Sequence, residues 1–145
     1  MLLIKPANQE QAEWVDNQIV AFNKECVAFL QDPTPLFKNY IIEDQGKIIA
    51  GINACIYHWN ILYINVLFVA KDYRDQRLGQ RLLFQVEEEA RAIGATLSHL
   101  DTFDFQAKDF YLKQGYEVFG TLEDCPPDHQ RFYLKKRLNS AGSLL

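Results

Sequence analysis

The 145-residue chain reads as an α/β domain built on one mixed sheet of about seven strands, with helices on both faces. Three observations predict it. Val66–Leu83 runs from an apolar strand through an Arg-rich turn into a helix with Leu78, Leu82 and Val86 on one face. Three strand candidates joined by short connections precede the turn, which predicts an antiparallel meander. Alternation resumes over Thr96–Phe103 behind the helix, so this strand should run parallel to Ile61–Val69 through a right-handed crossover. The predicted order is β-α-β-β-β-α-β-α-β-β.

The elements follow in order. Met1–Lys5 reads as a first strand stopped by Pro6. Asn8 is a predicted N-cap with Gln11 reaching back to it. Val15, Ile19, Phe22, Cys26 and Phe29 form one helical stripe running to about Gln31. Pro33 and Pro35 cannot continue that helix. Phe37–Glu43 and Ile48–Tyr57 are strands around an Asp44–Lys47 turn, with Gly46 at positive φ. His58–Asn60 connects to the Ile61–Val69 strand, whose apolar run suits a central position covered on both faces. In the next helix Leu78, Leu82, Val86, Ala90 and Ile93 point inward, Glu87 and Arg91 pair on the wet side, and Gly94 ends it. Ala107–Gln114 is a short helix stopped by Gly115, and Tyr116–Leu122 and Arg131–Arg137 are the last strands. Residues 1–138 thus read as one domain and 139–145 as a C-terminal tail.

Composition limits the function. A net charge of −4 argues against nucleic acid as the main partner, because phosphate-backbone binding needs a broad basic surface. No apolar run approaches the length of a membrane helix, and the N-terminus is too short and polar for a signal peptide. Cys26, Cys55 and Cys125 are far apart and show no metal-ligand spacing, which points to buried thiols in a cytoplasmic protein and to no metal.

Positive charge is nevertheless concentrated in one place. Lys71, Arg74, Arg77 and Arg81 stand against Asp72 and Asp75 where the strand feeds the helix. Free first-turn N–H groups and the helix dipole attract an anion there, and a phosphate suits it. The run Arg74-Asp75-Gln76-Arg77-Leu78-Gly79 resembles the pyrophosphate loop of the GNAT acetyltransferases, Arg/Gln-x-x-Gly-x-Gly/Ala. Arg74 and Gly79 match; Arg77 departs from the first Gly. Ala107-Lys-Asp-Phe-Tyr111-Leu-Lys-Gln-Gly115-Tyr116 resembles the Ala-x-x-Phe-Tyr-x-x-x-Gly-Phe/Tyr signature of the same superfamily at every fixed position. Ala107 stands 28 residues after Gly79, the length of a helix plus a strand. The resemblance covers about residues 2–138 and points to a bacterial subgroup of unassigned substrate.

That resemblance implies a GNAT-like single domain that transfers an acetyl group from acetyl-CoA to a primary amine of a small molecule or peptide. The amine would attack directly in a ternary complex. It implies that Arg74, Asp75, Gln76, Arg77, Leu78, Gly79 and Gln80 hold the pyrophosphate. Pantetheine would pair with the free edge at Leu67, Phe68 and Val69, and Phe110 and Tyr111 would flank the cofactor. Tyr111 is the candidate proton donor to the CoA thiolate. Some family members use a strand Glu as base, but residues 61–70 hold no carboxylate. His58, Asp101, Asp104 or a water chain remain as the base, and Asp104 is equally a candidate cap for the helix that carries Tyr111. Tyr57, Trp59 and Tyr63 suit an acceptor wall, a core or an interface. A homodimer is expected from family habit and from an aromatic Arg131–Leu134 strand near the sheet edge. The alternative function is an inactive CoA- or acyl-CoA-binding regulatory module. A nucleotide binder of another fold is disfavoured, since neither Gly-x-x-x-x-Gly-Lys-Ser/Thr nor Gly-x-Gly-x-x-Gly is present.

Overall fold

The computed structural model describes residues 1–138; the expected C-terminal tail lies outside the described residues. The chain packs as two compact units, Met1–Leu30 and the remainder from Gln31. In the first, helix α1 (Gln9–Cys26) opens with the expected capping box: Gln11 N–H donates to Asn8 Oδ1 (2.8 Å) and Asn8 N–H to Gln11 Oε1 (3.0 Å). Met1–Ala7 forms no strand. Its apolar run is too short to fix a conformation without a hydrogen-bonded neighbour. The helix stops at Cys26, not near Gln31. Gln31 is held elsewhere, donating to the Ile56 carbonyl (2.8 Å) and accepting from Asn60 N–H (3.0 Å).

The second unit holds strands β1 (Leu36–Asp44), β2 (Lys47–Tyr57), β3 (Ile61–Val69), β4 (Leu97–Phe103), β5 (Glu117–Glu123) and β6 (Gln130–Arg137), with helices α2 (Leu78–Ala92) and α3 (Lys108–Lys113). They form a six-stranded sheet in the order β1-β2-β3-β4-β6-β5. The β3–β4 pair is parallel and joined across α2; all other pairs are antiparallel. Strand β6 lies between β4 and β5, one strand in from the sheet edge. Strand alternation records burial but not the order of strands within a sheet.

Ala54, Ile56, Leu62, Ile64, Ser98, Leu100 and Leu134 share one buried face of the sheet, against Leu82, Leu83, Val86 and Ala90 of α2. Glu87 is also on the buried side, only 3% exposed. Its carboxylate accepts from Lys136 Nζ (3.0 Å) and Tyr116 OH (2.8 Å), while Arg91 lies 4.0 Å away. This corrects the expected wet-side pair: a buried carboxylate needs charged and hydroxyl donors, and β6 and Tyr116 supply them. Ile93 is likewise exposed, not inward. Both helices end in Schellman motifs that need a left-handed residue, and Gly94 (φ 95°) and Gly115 (φ 93°) provide it.

Candidate active site

The parallel ladder of β3 and β4 is short. It runs from Ile61↔Leu97 to Ile64↔Leu100 and stops. At the same level β3 carries a bulge: Ala54 of β2 pairs with Ile64 and Asn53 with Val66, so Asn65 is the extra residue. An extra residue bends its strand and raises the local twist. β3 continues to Val69 paired with β2 alone, and β4 continues to Phe103 paired with β6 alone. The two strands therefore diverge, and the edge of β3 from Val66 to Val69 loses its parallel neighbour. Its backbone polar groups line the gap, ready to pair with an extended ligand.

This gap is a cleft of about 1070 Å³. Beyond β3, the chain makes a 3-10 turn at Lys71–Tyr73, and Arg74 Nε donates back to the Val69 carbonyl (3.1 Å). Asp75 (φ 68°) and Arg77 (φ 60°) both take left-handed conformations before α2 starts at Leu78. An Arg here thus adopts a left-handed backbone that favours Gly, at a steric cost of about 1 kcal/mol. No side chain caps the start of α2. The first-turn N–H groups have no intrahelical partner and open on the mouth of the cleft, as helix starts that bind anions do. The cleft is lined by Leu67, Phe68 and Val69, by Arg74, Asp75, Arg77, Leu78, Gly79 and Gln80, and by Phe110 and Tyr111. Gln76 is the one residue of the expected cofactor set outside the lining.

Tyr111 is 5% exposed at the inner wall, its ring edge-on to Phe110 and Tyr116. Burial, with the nearby Asp101 charge as a smaller contribution, pushes its phenol up to about 12. His58 and Asp104 are not brought to this point. His58 sits in the β2–β3 turn, just beyond the Tyr57↔Ile61 pair and roughly 15 Å along the strand from the bulge. Its N–H donates to Thr34 Oγ1 (2.7 Å). Asp104 does not cap α3, whose N-cap is Ala107. The preceding turn is closed by Gln106 Oε1, which accepts from Phe103 N–H (2.7 Å) and Thr102 Oγ1 (3.2 Å). Asp104 instead accepts from His129 Nδ1 (2.8 Å) and Gln130 N–H (2.9 Å). Desolvation opposes its ionisation, but these hydrogen bonds outweigh it and hold the carboxyl below its usual range.

Asp101 is the first β4 residue past the last parallel pair, and it lines the cleft. It accepts from Arg131 Nε (3.0 Å), Arg131 Nη2 (2.6 Å) and Tyr63 OH (2.9 Å). Burial first, then the Asp101 hydrogen bond and charge, raise the Tyr63 phenol to about 12. On the same side Tyr57 OH and His99 Nε2 lie 2.8 Å apart. Arg131 escaped the sequence reading, because no local pattern pairs it with a residue 30 positions earlier. Phe103, Phe105 and Gln106 also line the cleft.

A strand–turn–helix opening onto a split parallel pair is an architecture shared with solved acetyltransferases. The profile of the acetyltransferase (GNAT) family matches residues 6–116, and the chain belongs to that family. It is 31% identical over 107 residues to the blasticidin-S acetyltransferase of Streptomyces morookaense, covering 73% of this chain and 78% of that one. Among solved structures, an acetyltransferase from Bacillus cereus superposes with a TM-score of 0.87 at 29% identity, over 94% of this chain and 98% of that one. An acetyltransferase of Bacillus anthracis solved with acetyl coenzyme A superposes with a TM-score of 0.64 at 25% identity, over 74% of this chain and 65% of that one.

Proposed function

We propose that the protein transfers an acetyl group from acetyl-CoA to a primary amine of a small molecule or peptide, by direct attack in a ternary complex. The observation that carries this reading is the divergence of β3 and β4 with the uncapped start of α2 at its mouth. The residues present fit the co-substrate. Backbone N–H groups from Leu78 to Gln80 suit a pyrophosphate, with Arg74 and Arg77 adding charge. The freed edge from Val66 to Val69 suits an amide-bearing chain laid along it as an extra strand.

Acetyl-CoA supplies an already activated thioester. No Ser, Cys or His is among the described residues that line the cleft, and an activated thioester needs no covalent enzyme intermediate. The chain's own tasks are then positional and electrostatic. An N–H on the freed β3 edge faces the carbonyl oxygen that gains charge as nitrogen attacks carbon. Tyr111 gives its proton to sulfur as the C–S bond breaks and regains one from solvent, and the proton released by the attacking nitrogen passes to solvent. A homodimer belongs to the same reading: β5 is an edge strand with Val118, Phe119 and Leu122 exposed. Free thiols at Cys26, Cys55 and Cys125 fit a reducing cytoplasm, although none of them is buried as expected.

The test is to incubate the protein with acetyl-CoA and a panel of amines and follow free thiol. Amine-dependent release is the expected result. Tight acetyl-CoA binding with no release from any amine would leave the binding module in its place.

A further inference from the structure

We propose that the Asp101 carboxylate, fixed by Tyr63 and Arg131 where β3 leaves β4, binds the ammonium group of an alkylamine acceptor. This rests on the acetyl-transfer reading above. Two carboxylates line the cleft among the described residues, Asp75 in the anion-binding loop and Asp101 at its inner end. Only the second stands beside the point where the reacting carbon must lie, one residue past the Ile64↔Leu100 pair.

The faces of β4 place it on the acceptor's side. Ser98, Leu100 and Thr102 are buried on the face that carries α2, and Ser98 Oγ lies 2.7 Å from Tyr116 OH, whose ring meets Tyr111. His99 and Asp101 alternate onto the other face, with Tyr63 and Arg131. Tyr111 and Asp101 therefore flank the gap from opposite faces of the sheet. A nucleophile must approach a thioester carbonyl from a side different from the departing sulfur. With Tyr111 beside the sulfur, the amine arrives over Asp101 as its ammonium, yields one proton to solvent and attacks as the neutral amine.

The carboxylate is also equipped for one more donor. It is 18% exposed. Arg131 gives two N–H groups to Oδ1 and Tyr63 gives one O–H to Oδ2, which leaves one of about four acceptor directions unused among the described residues. Those partners lock the side chain in place before substrate arrives, so little rotamer entropy is lost on binding. The Phe103 ring, with the Arg131 guanidinium 5.4 Å from its centroid, walls the same end of the cleft. Arg131 is already engaged by Asp101, so the site presents a negative acceptor to a cation, not a free cation to an acid.

The test compares Asp101→Asn and Asp101→Glu with wild type, using an alkylamine that wild type acetylates. Acetyl-CoA affinity by calorimetry and the melting temperature are measured in parallel. Asparagine keeps the shape and removes the charge, and kcat/KM for the amine should fall roughly 30-fold or more, mostly through KM, with acetyl-CoA affinity retained. Glutamate keeps the charge and should recover part of the loss. Equal loss in both variants, or Asn within threefold of wild type, would overturn the proposal while leaving acetyl transfer intact. Should the Asn variant not fold, wild type alone decides: an isostere with methyl in place of ammonium should compete at least tenfold more weakly, and equal competition overturns ammonium recognition. A wild type that acetylates no amine fails the acetyl-transfer reading itself, and this one with it.

Discussion

The ring of Phe110 stands 3.4 Å from the point where a Cβ on Gly79 would sit. The first turn of α2 and the helix carrying Tyr111 thus meet at a glycine, directly above the cleft. Alanine there makes a van der Waals contact with the ring edge and should leave acetyl-CoA affinity nearly unchanged. Aspartate adds a carboxylate where the phosphates are expected. Like charges brought together in this way should weaken binding by roughly 100-fold. Calorimetric titration of both variants checks it. Equal affinities in the two would place the phosphates elsewhere.

Arg77 separates backbone from side chain. Its left-handed φ of 60° costs a non-glycine residue, so Arg77→Gly should raise stability by up to about 1 kcal/mol, net of the entropy that Gly adds to the unfolded chain. The denaturation midpoint should rise at constant m. The same change removes a guanidinium from the cleft mouth and should lower acetyl-CoA affinity by about fivefold at low salt, the size of one exposed ion pair. Higher ionic strength should erase that difference.

Tyr116 is 3% exposed, and its hydroxyl serves two buried partners, Glu87 and Ser98. Tyr116→Phe keeps the ring and strands the Ser98 hydroxyl, which is fully buried. Glu87 retains Lys136. The expected loss is about 1–3 kcal/mol in chemical denaturation. A variant as stable as wild type would show that a water replaces the phenol.

These cases also show what the sequence could and could not reveal. The stripe Leu78, Leu82, Val86 and Ala90 and the turns at Gly94 and Gly115 are local, so periodicity and φ preference expose them. The Glu87 contacts are not local: Lys136 comes from β6, whose place in the sheet no alternation encodes. Met1–Lys5 misled for the same reason, because a strand exists only beside a partner. The strand–turn–helix that carries the proposed anion site was legible because one loop builds it. Asp101, Tyr63 and Arg131 come from three strands, and only the split of β3 from β4 shows why they matter together.

His99 predicts how stability responds to acid. Burial lowers its pKa below the ordinary 6.5, with Asp101 opposing as the smaller effect. The folded state then binds fewer protons than the unfolded state between the folded pKa and about 6.5. Stability should therefore be fully present above about pH 6.5 and decline as pH falls through that window. His99→Gln removes the titration and keeps a polar group near Tyr57 OH. Melting temperatures from pH 5 to 8 should slope less in the variant. An identical slope would assign the acid sensitivity to other groups.

Tyr111 makes the sharpest catalytic prediction. A phenol raised to about 12 by burial stays protonated across any practical assay range, so it is always ready as an acid. Its ionisation should add no basic limb to the wild-type profile below about pH 11. Tyr111→Phe preserves the ring packed against Phe110 and Tyr116 and removes only the proton. Loss of a positioned acid lowers rate by roughly 100- to 10,000-fold. The fall should appear in kcat with acetyl-CoA affinity unchanged, because the proposed proton transfer accompanies C–S cleavage, not thioester binding. It should also shrink with a thioester whose thiol is more acidic, since a better leaving group needs less protonation. A variant that turns over like wild type on both thioesters would reduce Tyr111 to a packing residue and leave the thiolate to solvent.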